Sequence, residues 1–182
     1  MASKKKAAPK AAKKVTKNAK LAKKVSKAVR KKPVKPIPPG YHVVTAYLCI
    51  DGAAAAIDFY KRVFGAKERL RMDAPGGKVG HAEIMIGDSV IMLADQFPEM
   101  NFYGPKTGGN TSINMHLYMK DVDAVVQRAV VAGAKVVRPV EDKFYGDRTG
   151  TIEDPFGHLW HIATHTEDLS VAEMKRRGEA MA

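Results

Sequence analysis

The side chains in this sequence that could hold a metal or move a proton lie on short segments rich in β-branched and aromatic residues. His81 and Glu83 stand two apart in Gly80-His81-Ala82-Glu83, and Asn114, His116 and Tyr118 alternate through a second such segment. Residues i and i+2 of a strand share a face, so the members of each set point the same way. His158 and His161 are three apart, face opposite ways and cannot meet on one ion. His161 and His165 share a face, with His165 near the end of its segment. On paper, His116, His161 and Glu83 make a site for a divalent ion, with Glu83 able to move a proton. The alternative for His116 is a hydrogen-bonding pocket or core histidine. His161 reads as a pocket wall residue and Trp160, on the other face, as core. Cys49 has no activating neighbour and reads as a small buried residue. Asp147 and Arg148, on a Gly-flanked loop, either hold an anionic ligand or form a turn salt bridge.

These segments belong to a pattern that occurs twice. Residues 43–94 read as strand, helix and three strands, and 112–165 read so again, with a joining loop over 95–111 that is a lid candidate or a plain linker. The helix of each copy ends at the same tripeptide, Gly65-Ala66-Lys67 and Gly133-Ala134-Lys135. The first copy opens with a strand over 43–50. Asp51 is placed to cap a helix whose apolar stripe is Ala53, Ala56, Ile57, Tyr60, Val63 and Phe64. Strands follow near 67–72, 79–86 and 89–94. The second opens with a strand over 112–119, and Asp121 caps a helix with the stripe Val122, Val125, Val126, Ala129 and Val130. Strands near 135–140, 148–153 and 159–164 complete it, and a short charged helix runs from Ser170 to about Arg177. The expected class is α+β: tandem βαβββ units forming a mostly antiparallel curved sheet around a central cleft. Two similar units usually leave a ligand site between them.

Charge divides the chain differently. The net charge is +12, yet residues 1–36 hold fifteen basic residues and no acid, leaving sixteen basic against nineteen acidic in the rest. The fifteen are Lys4, Lys5, Lys6, Lys10, Lys13, Lys14, Lys17, Lys20, Lys23, Lys24, Lys27, Arg30, Lys31, Lys32 and Lys35. High charge with low hydrophobicity predicts disorder in isolation. Leu21, Val25 and Val29 would line one face of a short helix once the lysines are neutralised. Such a tail binds phosphate polymers such as DNA by counterion release, without reading bases. A solubilising arm and an anchor to an anionic membrane surface are the other readings. The tail has no apolar run suited to a signal-peptide core or membrane span, and its single arginine does not suit a transit peptide. A Pro-rich linker over 37–42 leads into the body. One cysteine excludes an internal disulfide and fits a reducing compartment, so a cytoplasmic, nucleoid-associated protein is expected.

Three groups of residues carry a family resemblance: Ile57-Asp58-Phe59-Tyr60 in the first helix, Asp154-Pro155-Phe156-Gly157-His158 before the last strand, and Phe144-Tyr145-Gly146-Asp147-Arg148 together with Gly80-His81-Ala82-Glu83. With the tandem βαβββ order, they make the body resemble the glyoxalase/bleomycin-resistance/dioxygenase family, also called the vicinal oxygen chelate superfamily, and within it the PhnB-like subgroup. The tail resembles those of linker histones in composition. The family resemblance implies a homodimer and, in metal-using members, one ligand from the first and one from the last strand of each unit. Registration on the helix and turn motifs puts Thr45, Met92, Asn114 and His161 at those places. A slip of two residues would bring in His116.

Only His161 of that quartet is a good ligand, and an open catalytic site normally takes three protein ligands. The expectation is therefore a body that binds a small organic ligand without a cofactor. Its pocket would draw on Thr45, Tyr47, His81, Glu83, Met92, Asn114, His116, Tyr118, Tyr145, Arg148 and His161, with Phe144 as a further aromatic wall. A regulatory extension has the cleft sense a ligand or recruit a protein partner while the tail rests on DNA. The alternative is a lyase- or dioxygenase-like enzyme with an atypical divalent-metal site.

Overall fold

The computed structural model describes residues 34–109 and 111–181. The chain divides into two units, Met1–Pro38 and Pro39–Ala182. Of the first, Val34–Pro38 is described, an exposed run without helix or strand that includes Lys35. The expectations placed on the residues from Lys4 to Lys32 lie outside the described residues.

The second unit is α+β and carries the duplication. Its first repeat is β1 (Ala46–Ile50), α1 (Ala53–Phe64), β2 (Lys67–Ala74), β3 (Lys78–Ile86) and β4 (Ser89–Asp95). After a one-turn helix, α2 (Pro105–Gly108), the second is β5 (Met115–Tyr118), α3 (Val122–Val131), β6 (Lys135–Asp142), β7 (Asp147–Glu153) and β8 (Leu159–His165). Helix α4 (Val171–Glu179) closes the chain, with the Ser170 hydroxyl accepting from the Glu173 amide. Each repeat makes one four-stranded sheet, in the orders β1-β4-β3-β2 and β5-β8-β7-β6. The first strand of each sheet runs parallel to the last, and the other pairings are antiparallel.

One side of each sheet faces the helices. There Leu48, Ile50, Ile84, Leu93, Ile152, Trp160 and Ile162 join the stripes of α1 and α3 in a single core. Trp160 lies 4.7 Å from Phe64 and 5.3 Å from Tyr60, centroid to centroid, so the helix of the first repeat packs directly on the sheet of the second. The stripe expected for α1 is buried throughout and is joined by Phe59. In α3, Val130 is 45% exposed, against expectation; at i+8 from Val122 it has drifted to the rim of the buried stripe.

The helix starts differ in construction. Asp121 caps α3 as expected, accepting from the Ala124 amide at 2.9 Å. Asp51 does not cap α1. The N-cap is Gly52, at φ 89°, and the carboxylate that serves it comes from the end of β4. Asp95 Oδ1 accepts from the Gly52 and Ala53 amides, each at 2.9 Å, while Oδ2 accepts from the Val79 amide at 2.7 Å. One buried side chain thus joins a helix start to the edge of β3.

Strands β1 and β5 are shorter than expected: Val43 and Val44 are 85% exposed and lie outside β1. The joining loop folds against the end of β1. Phe97 and Phe102 bridge one another through backbone hydrogen bonds. A side chain on Gly104 would meet the Cys49 carbonyl at 3.1 Å and the Asp51 amide at 3.2 Å, so the close approach requires glycine.

Candidate functional site

The sheet faces turned away from the helices carry the candidate chemistry, and strand register decides which side chains stand side by side there. In the first sheet, Tyr47 pairs with Met92, Met92 with Glu83, and Glu83 with Leu70. In the second, His116 pairs with His161, His161 with Thr151, and Thr151 with Arg138. Directly paired residues share a face, so each set is a row across all four strands. The two rows occupy equivalent places: Tyr47 corresponds to His116, Met92 to His161, Glu83 to Thr151 and Leu70 to Arg138.

This register settles where the expected quartet lies. Met92 and His161 stand in the rows, but their first-strand neighbours are Tyr47 and His116 rather than Thr45 and Asn114, a displacement of two residues that keeps the face. Thr45 instead lines a cavity of about 200 Å³ at the seam between the sheets, with Ile91, Met115 and Trp160. Asn114 is exposed just before β5.

On the first sheet, polar groups gather around Glu83, whose side chain is 8% exposed. The Tyr41 hydroxyl donates to Glu83 Oε1 at 2.5 Å, His81 Nε2 lies 3.5 Å from the same oxygen, and Arg69 Nη1 is 3.9 Å from Oε2. Arg69 also lies over the Tyr41 ring, 5.0 Å from its centroid. The Tyr47 hydroxyl meets His81 Nδ1 at 3.1 Å. A carboxylate facing Nε2 favours the proton on that nitrogen, which makes Nδ1 the acceptor for Tyr47. Phe102 from the joining loop packs edge-on against Tyr47 at 5.9 Å. Cys49 follows on the same strand; burial, then the Asp95 charge, push its thiol up to about 11, so it is no nucleophile at neutral pH.

On the second sheet, a cavity of about 220 Å³ is lined by His116, Arg138, Lys143, Tyr145, Thr149, Thr151 and His161, with Pro139 and Gly150. The Thr151 hydroxyl and His161 Nδ1 are 2.8 Å apart, and the His116 and His161 rings 6.3 Å. Burial holds the His161 imidazole below its ordinary value, and the neighbouring His116 and Arg138 push it the same way. At the edge of this face, Asp147 is buried; it accepts from the Tyr118 hydroxyl at 3.0 Å and lies 2.7 Å from His165 Nδ1. Hydrogen bonding to Asp147, then to Asp168, raises His165 above the usual imidazole range.

Arg148 takes no part in either face. It grips Asp123 of α3 with two nitrogens, at 2.7 and 2.8 Å, and Asp142 at 3.1 Å, so of the two readings for this arginine the ion pair is the one present. His158 points to the helix side, its Nε2 3.2 Å from the Cys49 carbonyl.

The residues do not fit the divalent-metal site that the family resemblance implies for metal-using members. His116 and His161 are the imidazoles in the rows, whereas Glu83 stands on the other sheet, engaged by Tyr41. Among the described residues no three His, Cys, Asp or Glu side chains are grouped to hold an ion. Sequence reading missed Tyr41, Arg69, Thr151 and Arg138. Register shifts between Glu68 and Leu70 and between Val136 and Arg138 explain the last, because a bulge breaks the alternation by which faces are read. The signal available was the duplication, since Leu70 and Arg138 each stand three residues after the shared Gly-Ala-Lys.

Sequence and structure comparisons agree on the body. An uncharacterised protein of Mycobacterium bovis is 40% identical over 135 residues, covering 72% of this chain and 89% of that protein. The crystal structure of TioX from Micromonospora sp. ML1 is 31% identical with a TM-score of 0.53, covering 67% of this chain and 97% of TioX. The PhnB protein from Bacillus cereus, 19% identical with a TM-score of 0.53 over 68% of this chain and 99% of its own, shares the fold. Residues 41–162 match the sequence model of the Glyoxalase/Bleomycin resistance protein/Dioxygenase superfamily, and the chain belongs to that superfamily.

Proposed function

We propose that the body binds a small organic ligand on its open sheet faces without a metal ion, and that the basic tail holds the protein on nucleic acid without reading sequence. The observation that carries the first part is the content of the two rows. Tyr47, Met92 and Leu70 on one sheet and His116, His161, Thr151 and Arg138 on the other make aromatic and apolar walls with a few polar anchors, the composition of a ligand site. Two imidazoles on one sheet are one ligand short of an open catalytic metal site. The charge division supports the second part, with fifteen basic residues and no acid in residues 1–36. About ten engaged lysines would give a log–log salt slope near −9 for DNA binding.

Both open faces expose large apolar groups, among them Tyr47 at 46%, Leu70 at 43%, Met72 at 57% and Tyr118 at 60%. A second copy would cover them, and a homodimer would carry two tails whose tethering raises apparent affinity for DNA. The reading extends to a cytoplasmic, nucleoid-associated regulator in which ligand or a protein partner at the sheets modulates what the tail holds.

The test is a calorimetric titration of chelator-stripped full-length protein with nickel, zinc, manganese and iron(II), beside His161→Ala, paired with a thermal-shift screen of small aromatic compounds. Stabilisation by a compound with no stoichiometric metal binding is the expected result. Micromolar metal binding lost in His161→Ala would overturn it in favour of a lyase- or dioxygenase-like enzyme.

A further inference from the structure

We infer that the open face of the second sheet is an anion site, in which Arg138, His161 and Thr151 hold the carboxylate, phosphate or phosphonate group of a small organic acid; the inference rests on the ligand-binding reading of this face.

The two open faces are built to one plan and differ in the charge they carry. Where the first sheet has Glu83 and Leu70, the second has Thr151 and Arg138. Duplication preserved the backbone while the charge changed sign: one row contains a carboxylate and the other a guanidinium. No Asp or Glu lines the 220 Å³ cavity of the second sheet. The cation of the second row faces no carboxylate in its cavity, whereas Arg69 of the first sheet already faces Glu83.

Arg138 is available for this work. Several arginines elsewhere in the body are committed, among them Arg148 to Asp123 and Asp142 and Arg177 to Glu167 and Glu173, but Arg138 has no ion pair or hydrogen bond among the described residues. Its planar fork matches the two oxygens of a carboxylate or phosphonate. The Thr151 hydroxyl occupies His161 Nδ1, which leaves Nε2 without a protein partner among the described residues. Thr151 is 5% exposed and Thr149 9%, so the floor of the cavity is dry enough to strengthen a charge-assisted bond. Lys143 adds a second cation, shared with Glu141, which is outside the lining. The depressed basicity of His161, due in part to Arg138, reports the same positive field.

Size narrows the class. A volume of about 220 Å³ corresponds to roughly seven waters of liquid, enough for a benzoate-sized acid and too small for a nucleotide. The Tyr145 ring supplies an aromatic wall for the body of such a ligand.

The experiment titrates the full chain with benzoate, phenylphosphonate and the neutral benzyl alcohol, following the His116 and His161 ring signals by NMR. Salt of about 0.15 M shortens the reach of the tail's charges to about 8 Å. Both acids should shift the His161 ring along a saturating curve, with benzyl alcohol at least tenfold weaker. Arg138→Met should abolish that preference while leaving the urea midpoint in place, since the side chain is exposed. Tighter phenylphosphonate binding that weakens in Lys143→Met identifies a phosphonate- or phosphate-type ligand; tighter benzoate identifies a carboxylate. Equal binding of benzyl alcohol, or an unchanged Arg138→Met, overturns the anion site while leaving a small-ligand module standing. Signals that move only in the tail, or in no ring for any probe, overturn it as well, and the compound screen then judges the broader reading separately.

Discussion

The Tyr60 hydroxyl donates to Asp154 Oδ2 at 2.8 Å across 94 positions of sequence, joining the helix of the first repeat to the last turn of the second. The same carboxylate oxygen accepts from Trp160 Nε1 at 2.9 Å, and Oδ1 accepts from the Phe156 and His158 amides. Asp154 is 2% exposed. Four donors on one buried carboxylate fix how the second repeat meets α1, and through β8 they hold His161 at its place in the row.

Removing one donor should cost less than removing the acceptor. Tyr60→Phe should lose about 1–2 kcal/mol of stability, and Asp154→Ala, which strands four donors, three of them in buried bonds, at least about 3 kcal/mol. Urea unfolding of the two variants measures both. Equal losses would mean that the carboxylate is not the shared partner.

Much of this organisation was legible in the sequence because it is local. The repeated Gly-Ala-Lys, the stripe from Ala53 to Phe64, the Asp121 cap and Trp160 on the core side follow from periodicity and turn chemistry over a few residues. What failed was non-local. The cap of α1 comes from Asp95, 42 positions beyond Ala53, while Asp51 stood nearer and looked sufficient. The rows depended on parallel pairing of β1 with β4 and β5 with β8, which one strand's pattern cannot register. Hence Thr45 and Asn114 were expected where Tyr47 and His116 stand. Arg138 was hidden by a bulge, and Tyr41 by lying outside the repeat altogether.

Two imidazoles should titrate on opposite sides of the free value. His161 is depressed, by burial first and then by His116 and Arg138, whereas His165 is raised, by its hydrogen bond to Asp147 first and then to Asp168. For His161 the unfolded chain binds the proton more tightly, so its contribution favours folding above about pH 6.5 and is lost as pH falls through the folded value. The sign reverses for His165, whose contribution is full below about pH 6.5 and lost as pH rises through its higher folded value. NMR titration of the ring protons reads both. Arg138→Met should move His161 upward and leave His165 in place; the opposite order of the two midpoints would refute the assignment.

Asp95→Ala should destabilise the first repeat more than loss of an ordinary helix cap. A cap is worth about 1 kcal/mol, and a buried Val79 amide left without its acceptor adds about 1–3 kcal/mol. Asp51→Ala, by contrast, should change stability by less than about 0.5 kcal/mol, as expected for a surface position without a cap role. Comparable losses in the two variants would restore Asp51 as the capping residue.

Cys49 provides a check on whether this open face does nucleophilic chemistry. Its thiol is pushed up to about 11 by burial first and the Asp95 charge second. Set against about 8.5 for a free thiol, the thiolate fraction near pH 8 falls by roughly two orders of magnitude. Iodoacetamide should therefore label the folded protein about a hundredfold more slowly than the urea-unfolded chain, and Cys49→Ser should leave ligand-induced stabilisation unchanged. Rapid labelling at neutral pH in the folded state, saturating with reagent, would mark Cys49 as an activated thiol and return covalent chemistry to the site.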